Sequence, residues 1–197
     1  MHRAPLVLLV FVLASVAHGA VQRGTEGDDT LIGTAAADRL YGFGGHDGLY
    51  GGAGDDRLYG GPGWDHLYGG TGNDVLDGGP ASPDWPSGDF SRRERLIGGA
   101  GDDVLRSHLG ASVLMDGYGS NRFDSRDPLT DCHVKLRMRA LASGGPRCAD
   151  FVLAGRGDDF IQARDGNTDL VQCGSGRDVV IADRFDRVWD CEVVRRR

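Results

Sequence analysis

Between residues 24 and 79 one nine-residue phrase repeats without a break: GTEGDDTLI, GTAAADRLY, GFGGHDGLY, GGAGDDRLY, GGPGWDHLY, GGTGNDVLD, with a seventh opening at Gly78. Numbering each phrase from 1 to 9, position 6 is Asp29, Asp38, Asp47, Asp56, Asp65 and Asp74, and position 8 is Leu31, Leu40, Leu49, Leu58, Leu67 and Leu76. Unbroken periodicity of this kind restricts the chain to architectures in which identical short units stack on one another.

The front of each phrase is rich in glycine, which permits positive φ and close stacking of neighbouring turns. The tail is x-Leu-x, a short strand with one side chain facing in and two facing out. A strand of that length is stable only if stacked copies bury its leucine. Successive tails must run in the same direction after each turn, so one coil takes two phrases, or eighteen residues. Leu31, Leu49 and Leu67 then line one wall, and Leu40, Leu58 and Leu76 the other. Paired strands place equivalent positions about 4.7–4.9 Å apart.

The aspartates fall in the turns and stack at that same spacing. A column of carboxylates so close repels itself unless a cation lies between them. Hard oxygen ligands from aspartate and from turn carbonyls suit Ca²⁺, and the absence of His and Cys from the column argues against zinc or copper. Aspartate is common in turns for local reasons, but strict register over six phrases needs a further cause.

The phrases Gly51-Gly52-Ala53-Gly54-Asp55-Asp56-Arg57-Leu58-Tyr59, Gly60-Gly61-Pro62-Gly63-Trp64-Asp65 and Gly69-Gly70-Thr71-Gly72-Asn73-Asp74 resemble the hemolysin-type, or RTX, calcium-binding nonapeptide repeat. The resemblance implies an all-β fold, a parallel β-roll (a right-handed β-solenoid of nine-residue repeats) that folds on binding several Ca²⁺ ions. It further implies that ions sit between turns one coil apart. The partners are then Asp29 with Asp47, Asp38 with Asp56, Asp47 with Asp65, and Asp56 with Asp74. The phrase Gly33–Tyr41 has Thr34 and Ala36 where glycine is expected, so its sites should be weaker or distorted.

The first nineteen residues read as a Sec-type signal peptide: Arg3, an apolar stretch from Leu6 to Val16 too short to span a bilayer, and small residues at Ala17-His18-Gly19. No second apolar run follows, so the expectation is a secreted, extracellular protein with no membrane span. Residues 20–197 form a single β-roll domain with two loop insertions. Regular repeats occupy 24–79, an insertion 80–97, one good and two degenerate phrases 98–124, a cysteine-containing insertion 125–149, and C-terminal repeats with a cap 150–197. In the degenerate phrases Ser112 and Asn121 stand in the aspartate column, with Leu114 and Phe123 as core residues. Within the second insertion Val134–Arg139 alternates apolar and basic residues and reads as an edge strand. Asp103, Asp159, Asp169 and Asp178 extend the candidate metal ligands, with Ile161, Val171 and Val180 as core. The spacing slips to ten residues from Asp159 to Asp169 and to eight from Asp178 to Asp186.

Residues 24–79 hold ten acidic and two basic residues, whereas the segment from 80 onward holds nineteen and eighteen. An ion-free roll so acidic repels itself, and nucleic acid is a poor partner for it. Tyr41 over Tyr59 and Tyr50 over Tyr68 should form two outward-facing pairs, read first as cross-strand packing. An aromatic strip for carbohydrate is the alternative. In an exported chain Cys132, Cys148, Cys173 and Cys191 imply two disulfides, for which three connectivities exist. Cys173 and Cys191 are eighteen residues apart, one coil, which suits the usual Cα separation of a disulfide. Cys132 and Cys148 would then close the second insertion.

There is no His-Glu-x-x-His motif, no Gly-x-Ser-x-Gly elbow and no phosphate loop. Acidic pairs such as Asp55-Asp56 belong to the repeat, so structure explains them before glycoside hydrolysis does. The sequence therefore reads as a non-enzymatic, exported calcium-binding protein in which ion binding drives folding. A surface adhesion or carbohydrate-binding protein with a cell-surface or polysaccharide ligand is the alternative, and a polysaccharide-acting enzyme a more distant one.

Overall fold

The computed structural model describes residues 18–80, 94–108, 112–125, 150–164, 166 and 168–196. The described residues contain no helix, and hence none long and apolar enough to cross a membrane. They form strands β1 (Val21–Arg23), β2 (Thr30–Ile32), β3 (Arg39–Tyr41), β4 (Gly48–Ala53), β5 (Arg57–Tyr59), β6 (His66–Thr71), β7 (Val75–Asp77), β8 (Arg95–Ala100) and β9 (Val104–Arg106). The series continues with β10 (Val113–Met115), β11 (Arg122–Asp124), β12 (Phe151–Leu153), β13 (Phe160–Gln162), β14 (Leu170–Gln172), β15 (Val179–Ala182), β16 (Arg187–Trp189) and β17 (Val193–Arg196).

Odd-numbered strands form one sheet in the order β1-β3-β5-β7-β9-β11-β13-β15-β17, and even-numbered strands form the other, β2 to β16. Every pairing is parallel, so each coil contributes one strand to each sheet, as expected for a β-roll. Leu31 pairs with Leu49 and Leu49 with Leu67 on one wall; Leu40, Leu58 and Leu76 align on the other. The two ladders are carried on by Leu96, Leu114, Val152 and Val171, and by Leu105, Phe123, Ile161 and Val180, all fully buried. Ser112 and Asn121 are buried in the column, as the degenerate phrases suggest.

One boundary differs from the sequence expectation. The roll resumes at Glu94 and Arg95, not at Gly98: Arg95, Leu96 and Ile97 pair with His66, Leu67 and Tyr68. The C-terminal coils begin at Asp150, the boundary read from the sequence, and Phe151–Leu153 pairs with Val113–Met115. The spacing slips near the C-terminus are absorbed in the turns. Phe160 pairs with Val179 and Leu170 with Arg187, so strand register survives one added and one missing residue.

Tyr41 stacks on Tyr59 and Tyr50 on Tyr68, each with ring centroids 5.0 Å apart, and Arg23 lies 5.7 Å over the Tyr41 ring. Cys173 and Cys191 form a disulfide with Cα atoms 5.2 Å apart. At the C-terminal end Arg196 Nη1 donates to the carbonyls of Asp183 (2.7 Å) and Asp186 (3.2 Å), tying the last strand over the final turn. The signal-peptide segment 1–17, Cys132, Cys148 and the strand expected at 134–139 lie outside the described residues.

Candidate metal centre

Position 6 lies where each turn enters its strand, and its side chain points across the stack. The carboxylate Oδ1 accepts a hydrogen bond from the main-chain N–H of position 6 in the preceding coil. Asp29 donates to Asp47 (2.8 Å), Asp38 to Asp56 (2.7 Å), Asp47 to Asp65 (2.9 Å), Asp56 to Asp74 (2.8 Å) and Asp74 to Asp103 (2.7 Å). The four expected pairs are thus brought together, through a main-chain hydrogen bond rather than carboxylate to carboxylate.

Because phrases alternate between the two sheets, there are two such columns. One continues through Asn121, Asp159 and Asp178 to Glu192 Oε2, the other through Ser112, Asp150, Asp169 and Asp186. Asp159, Asp169 and Asp178 therefore occupy the places expected of them. A second, outer ladder runs through position 5 in the opposite sense. Main-chain N–H groups of His46, Asn73, Asp102 and Ser120 donate to Asp28, Asp55, Asn73 and Asp102, and that of Trp64 to His46 Nδ1. His46 is part of this ladder, a role the sequence reading did not assign it.

The second carboxylate oxygen is the informative one. Oδ2 of Asp47, Asp56, Asp65, Asp74 and Asp103 is buried and accepts no hydrogen bond. Leaving such an oxygen unpaired is costly, so each points to a missing partner. All five face the α-carbon of the position-1 glycine of their own turn, at Gly42, Gly51, Gly60, Gly69 and Gly98. A Cβ built on Gly42, Gly51 or Gly60 would lie 2.6 Å from the carbonyl oxygen of the position-1 glycine one coil on, and closer still to the carboxylate Oδ2. Each glycine thus leaves a small cradle lined by one carboxylate and one main-chain oxygen.

The first two phrases differ. At Asp29 the second oxygen accepts bonds from the Thr25 N–H (2.5 Å) and hydroxyl (2.8 Å). At Asp38 it accepts from the Thr34 N–H, while Thr34 Oγ1 accepts from the Ala36 N–H at 3.1 Å. Threonine at position 2 thus supplies locally what the other carboxylates lack. The distortion expected at Asp38 extends to Asp29.

Glu94 takes the place of aspartate beside Gly78. Its Oε2 accepts from the hydroxyls of Ser107 (2.9 Å) and Ser112 (3.1 Å), and the three side chains form a buried knot. Sequence reasoning missed Glu94, Asp116, Asp150 and Glu192 because insertions or degenerate phrases separate them from the glycines that announce the motif.

Burial pushes Asp47, Asp56 and Asp74 up to about 6, Asp103 and Asp159 to about 7 and Asp65 to about 8. It also raises Asp178. Neighbouring carboxylates add to the rise, and the ladder N–H donors oppose it. Carboxylates that resist ionisation when buried invite either a proton or a cation.

No three His, Cys, Asp or Glu side chains converge among the described residues. An ion in a cradle would take one carboxylate oxygen and complete its shell from main-chain carbonyls and water. That donor set fits Ca²⁺, which accepts six to eight oxygens in flexible geometry, and not the nitrogen and sulfur sets of zinc.

The RTX calcium-binding nonapeptide repeat matches four stretches, residues 23–58, 59–81, 90–111 and 149–180. No curated protein and no solved structure matched. The four stretches cover more than half of the chain, and it belongs to the family of RTX calcium-binding nonapeptide repeats.

Proposed function

We propose that this protein is an exported calcium-binding β-roll in which ions seat in the position-1 cradles and couple binding to folding. The observation that carries the reading is the buried, unpaired Oδ2 of Asp47, Asp56, Asp65, Asp74 and Asp103, each facing a glycine that leaves room beside it. Without a cation these oxygens oppose the folded state; with one, they favour it. Asp29 and Asp38 serve as weaker sites, since their threonines already satisfy them. Asp159 and Asp178 keep a buried, unpaired Oδ2 as well, but alanine or cysteine fills position 1 of the turns of Asp159, Asp169 and Asp178, so these serve as weaker sites than the glycine cradles.

Release outside the cell, directed by residues 1–19, would expose the chain to calcium at the roughly 10⁻⁴–10⁻³ M where extracellular modules work. The tyrosine pairs stack on each other within each sheet face, which supports a packing role for them.

The test is far-UV circular dichroism of the mature, oxidised protein titrated with CaCl₂ and, in parallel, MgCl₂. The expected result is a cooperative gain of β signal with calcium alone, weakened in Asp56→Asn and Asp65→Asn. A full β spectrum in EDTA that calcium leaves unchanged would sink the reading.

A further inference from the structure

The cradle at Gly98 brings in a second aspartate. At Gly98 the second wall is not a glycine carbonyl but a side chain, because position 1 of the following coil is Asp116. A Cβ placed on Gly98 would lie 2.5 Å from Asp103 Oδ2 and 2.9 Å from Asp116 Oδ2. Two carboxylate oxygens therefore converge on one small space.

Both carboxylates are held in that orientation by the main chain. Asp103 Oδ1 accepts the Asp74 N–H (2.7 Å), and Asp116 Oδ1 accepts the N–H groups of Gly99 (2.9 Å) and Gly117 (2.6 Å). With Oδ1 committed, each Oδ2 is turned into the cradle, where the two carboxylates come within hydrogen-bonding reach of each other and, among the described residues, no N–H or hydroxyl donor reaches either oxygen. Asp103 is only 1 % exposed, so solvent does not satisfy it. Two fixed, desolvated, like-charged oxygens facing one space repel strongly unless a cation bridges them.

We propose that Asp103 and Asp116 together form a dicarboxylate calcium site, the tightest in the roll, at the seam between the regular repeats and the C-terminal coils. The inference rests on calcium occupying the glycine cradles, and adds a ligand that the repeat pattern does not supply. Ligand charge is a main determinant of Ca²⁺ affinity, and this site presents two carboxylates where the cradles at Gly42, Gly51, Gly60 and Gly69 present one. Removing one carboxylate should therefore weaken this site far more than it disturbs the stack.

The experiment is isothermal titration calorimetry of the EDTA-treated, oxidised mature chain with CaCl₂, comparing the parent with Asp116→Gly, Asp116→Asn and Asp65→Asn. Glycine is the residue the roll itself uses at this position, and asparagine retains an acceptor for the Gly99 and Gly117 N–H groups, so both variants preserve the fold. Circular dichroism at saturating calcium checks that they do. The parent should show one tight phase ahead of weaker ones. Both Asp116 variants should lose at least about tenfold in that phase and keep the weaker phases. Asp65→Asn should keep the tight phase and lose a weaker one. If the tight phase is unchanged in the Asp116 variants, this site is overturned while calcium binding stands. If the parent takes up no calcium, both readings fall.

Discussion

The coils before and after the seam at Asp116 share strands, sheets and carboxylate ladder, yet they fill position 1 differently. In the first part that position is Gly24, Gly33, Gly42, Gly51, Gly60, Gly69, Gly78 and Gly98, and then Ser107; in the last part it is Ser125, Ala154, Ala163, Cys173 and Ala182, all fully buried. The backbone equivalence is direct. The N–H of Gly24, Gly42 and Gly60 donates to the last residue of a strand one coil on, and so does that of Ala154, Ala163 and Cys173. In the first part the space beside the carboxylate is open to an ion. In the last part position 1 carries an alanine methyl or the Cys173 side chain instead, and a disulfide spans one coil. One backbone phrase is thus held together by two chemistries, ions in one region and apolar contact with a covalent staple in the other.

The largest effect that would expose this difference is calcium removal. In EDTA at neutral pH, hydrogen exchange followed by mass spectrometry should show rapid exchange across β2–β9, while β12–β17 remain protected. Uniform loss, or uniform retention, would erase the distinction between the regions.

Acid should then stand in for calcium. The cradle carboxylates titrate near 6 to 8 in the folded chain against 3.8 for the ordinary group. The folded state therefore holds more protons than the unfolded one between about pH 4 and 8. That contribution to stability is full below pH 4 and is lost as pH rises through 6 to 8. Thermal melts in EDTA should show the β signal most stable in mild acid and weakest at pH 8. Calcium should reverse the trend, since it displaces protons. A metal-free chain that gains stability between pH 5 and 8 would contradict the assignment of these oxygens.

The disulfide sharpens the comparison from the other side. Replacing both Cys173 and Cys191 by serine opens an eighteen-residue loop, a change on the order of 3 kcal/mol in chain-entropy terms. Urea denaturation should register that loss in the C-terminal coils, with calcium affinity in the first part unchanged. Exchanging position 1 tests the cradle itself. Gly60→Ala should abolish one calcium site, because its Cβ would occupy the space between Asp65 and the Gly78 carbonyl. Ala154→Gly should open one beside Asp159. Calorimetric stoichiometry reads both, and an unchanged count in Gly60→Ala would show that ions bind elsewhere.

The leucine ladder, the sheet count per coil and the tyrosine stacks were legible because they depend on period alone. So was the Cys173–Cys191 bridge, since one coil is a fixed distance. Asp116 was not, because an aspartate at position 1 looks like decay of the motif until its side chain is seen entering the Gly98 cradle. Nor was the role of Thr25 and Thr34. Threonine at position 2 reads as a lost glycine, yet its N–H, joined at Thr25 by the hydroxyl, takes over the carboxylate oxygen that other turns leave unpaired. Glu94 and Asp150 stand after insertions that separate them from their glycines. Periodic backbone can be read from spacing, but a local hydrogen bond that substitutes for an ion depends on three-dimensional contacts.

The smallest effect concerns what the two regions have in common. Position 2 takes positive φ at several turns of each: Gly52 (111°), Gly61 (107°), Gly70 (115°) and Gly99 (119°) in the first, Gly155 (92°) and Gly174 (103°) in the last. Phe43 takes the same conformation without being glycine, held at φ 75° with its side chain exposed. A side chain in this region costs roughly 1–2 kcal/mol, whereas glycine gives back about 0.5–1 kcal/mol of that in chain entropy. Phe43→Gly should therefore stabilise the calcium-loaded roll by up to about 1 kcal/mol in urea denaturation, with the calcium stoichiometry unchanged. A destabilised variant would mean that the exposed Phe43 ring contributes packing worth more than the strain it carries, and that turn geometry is not the feature shared by the two regions.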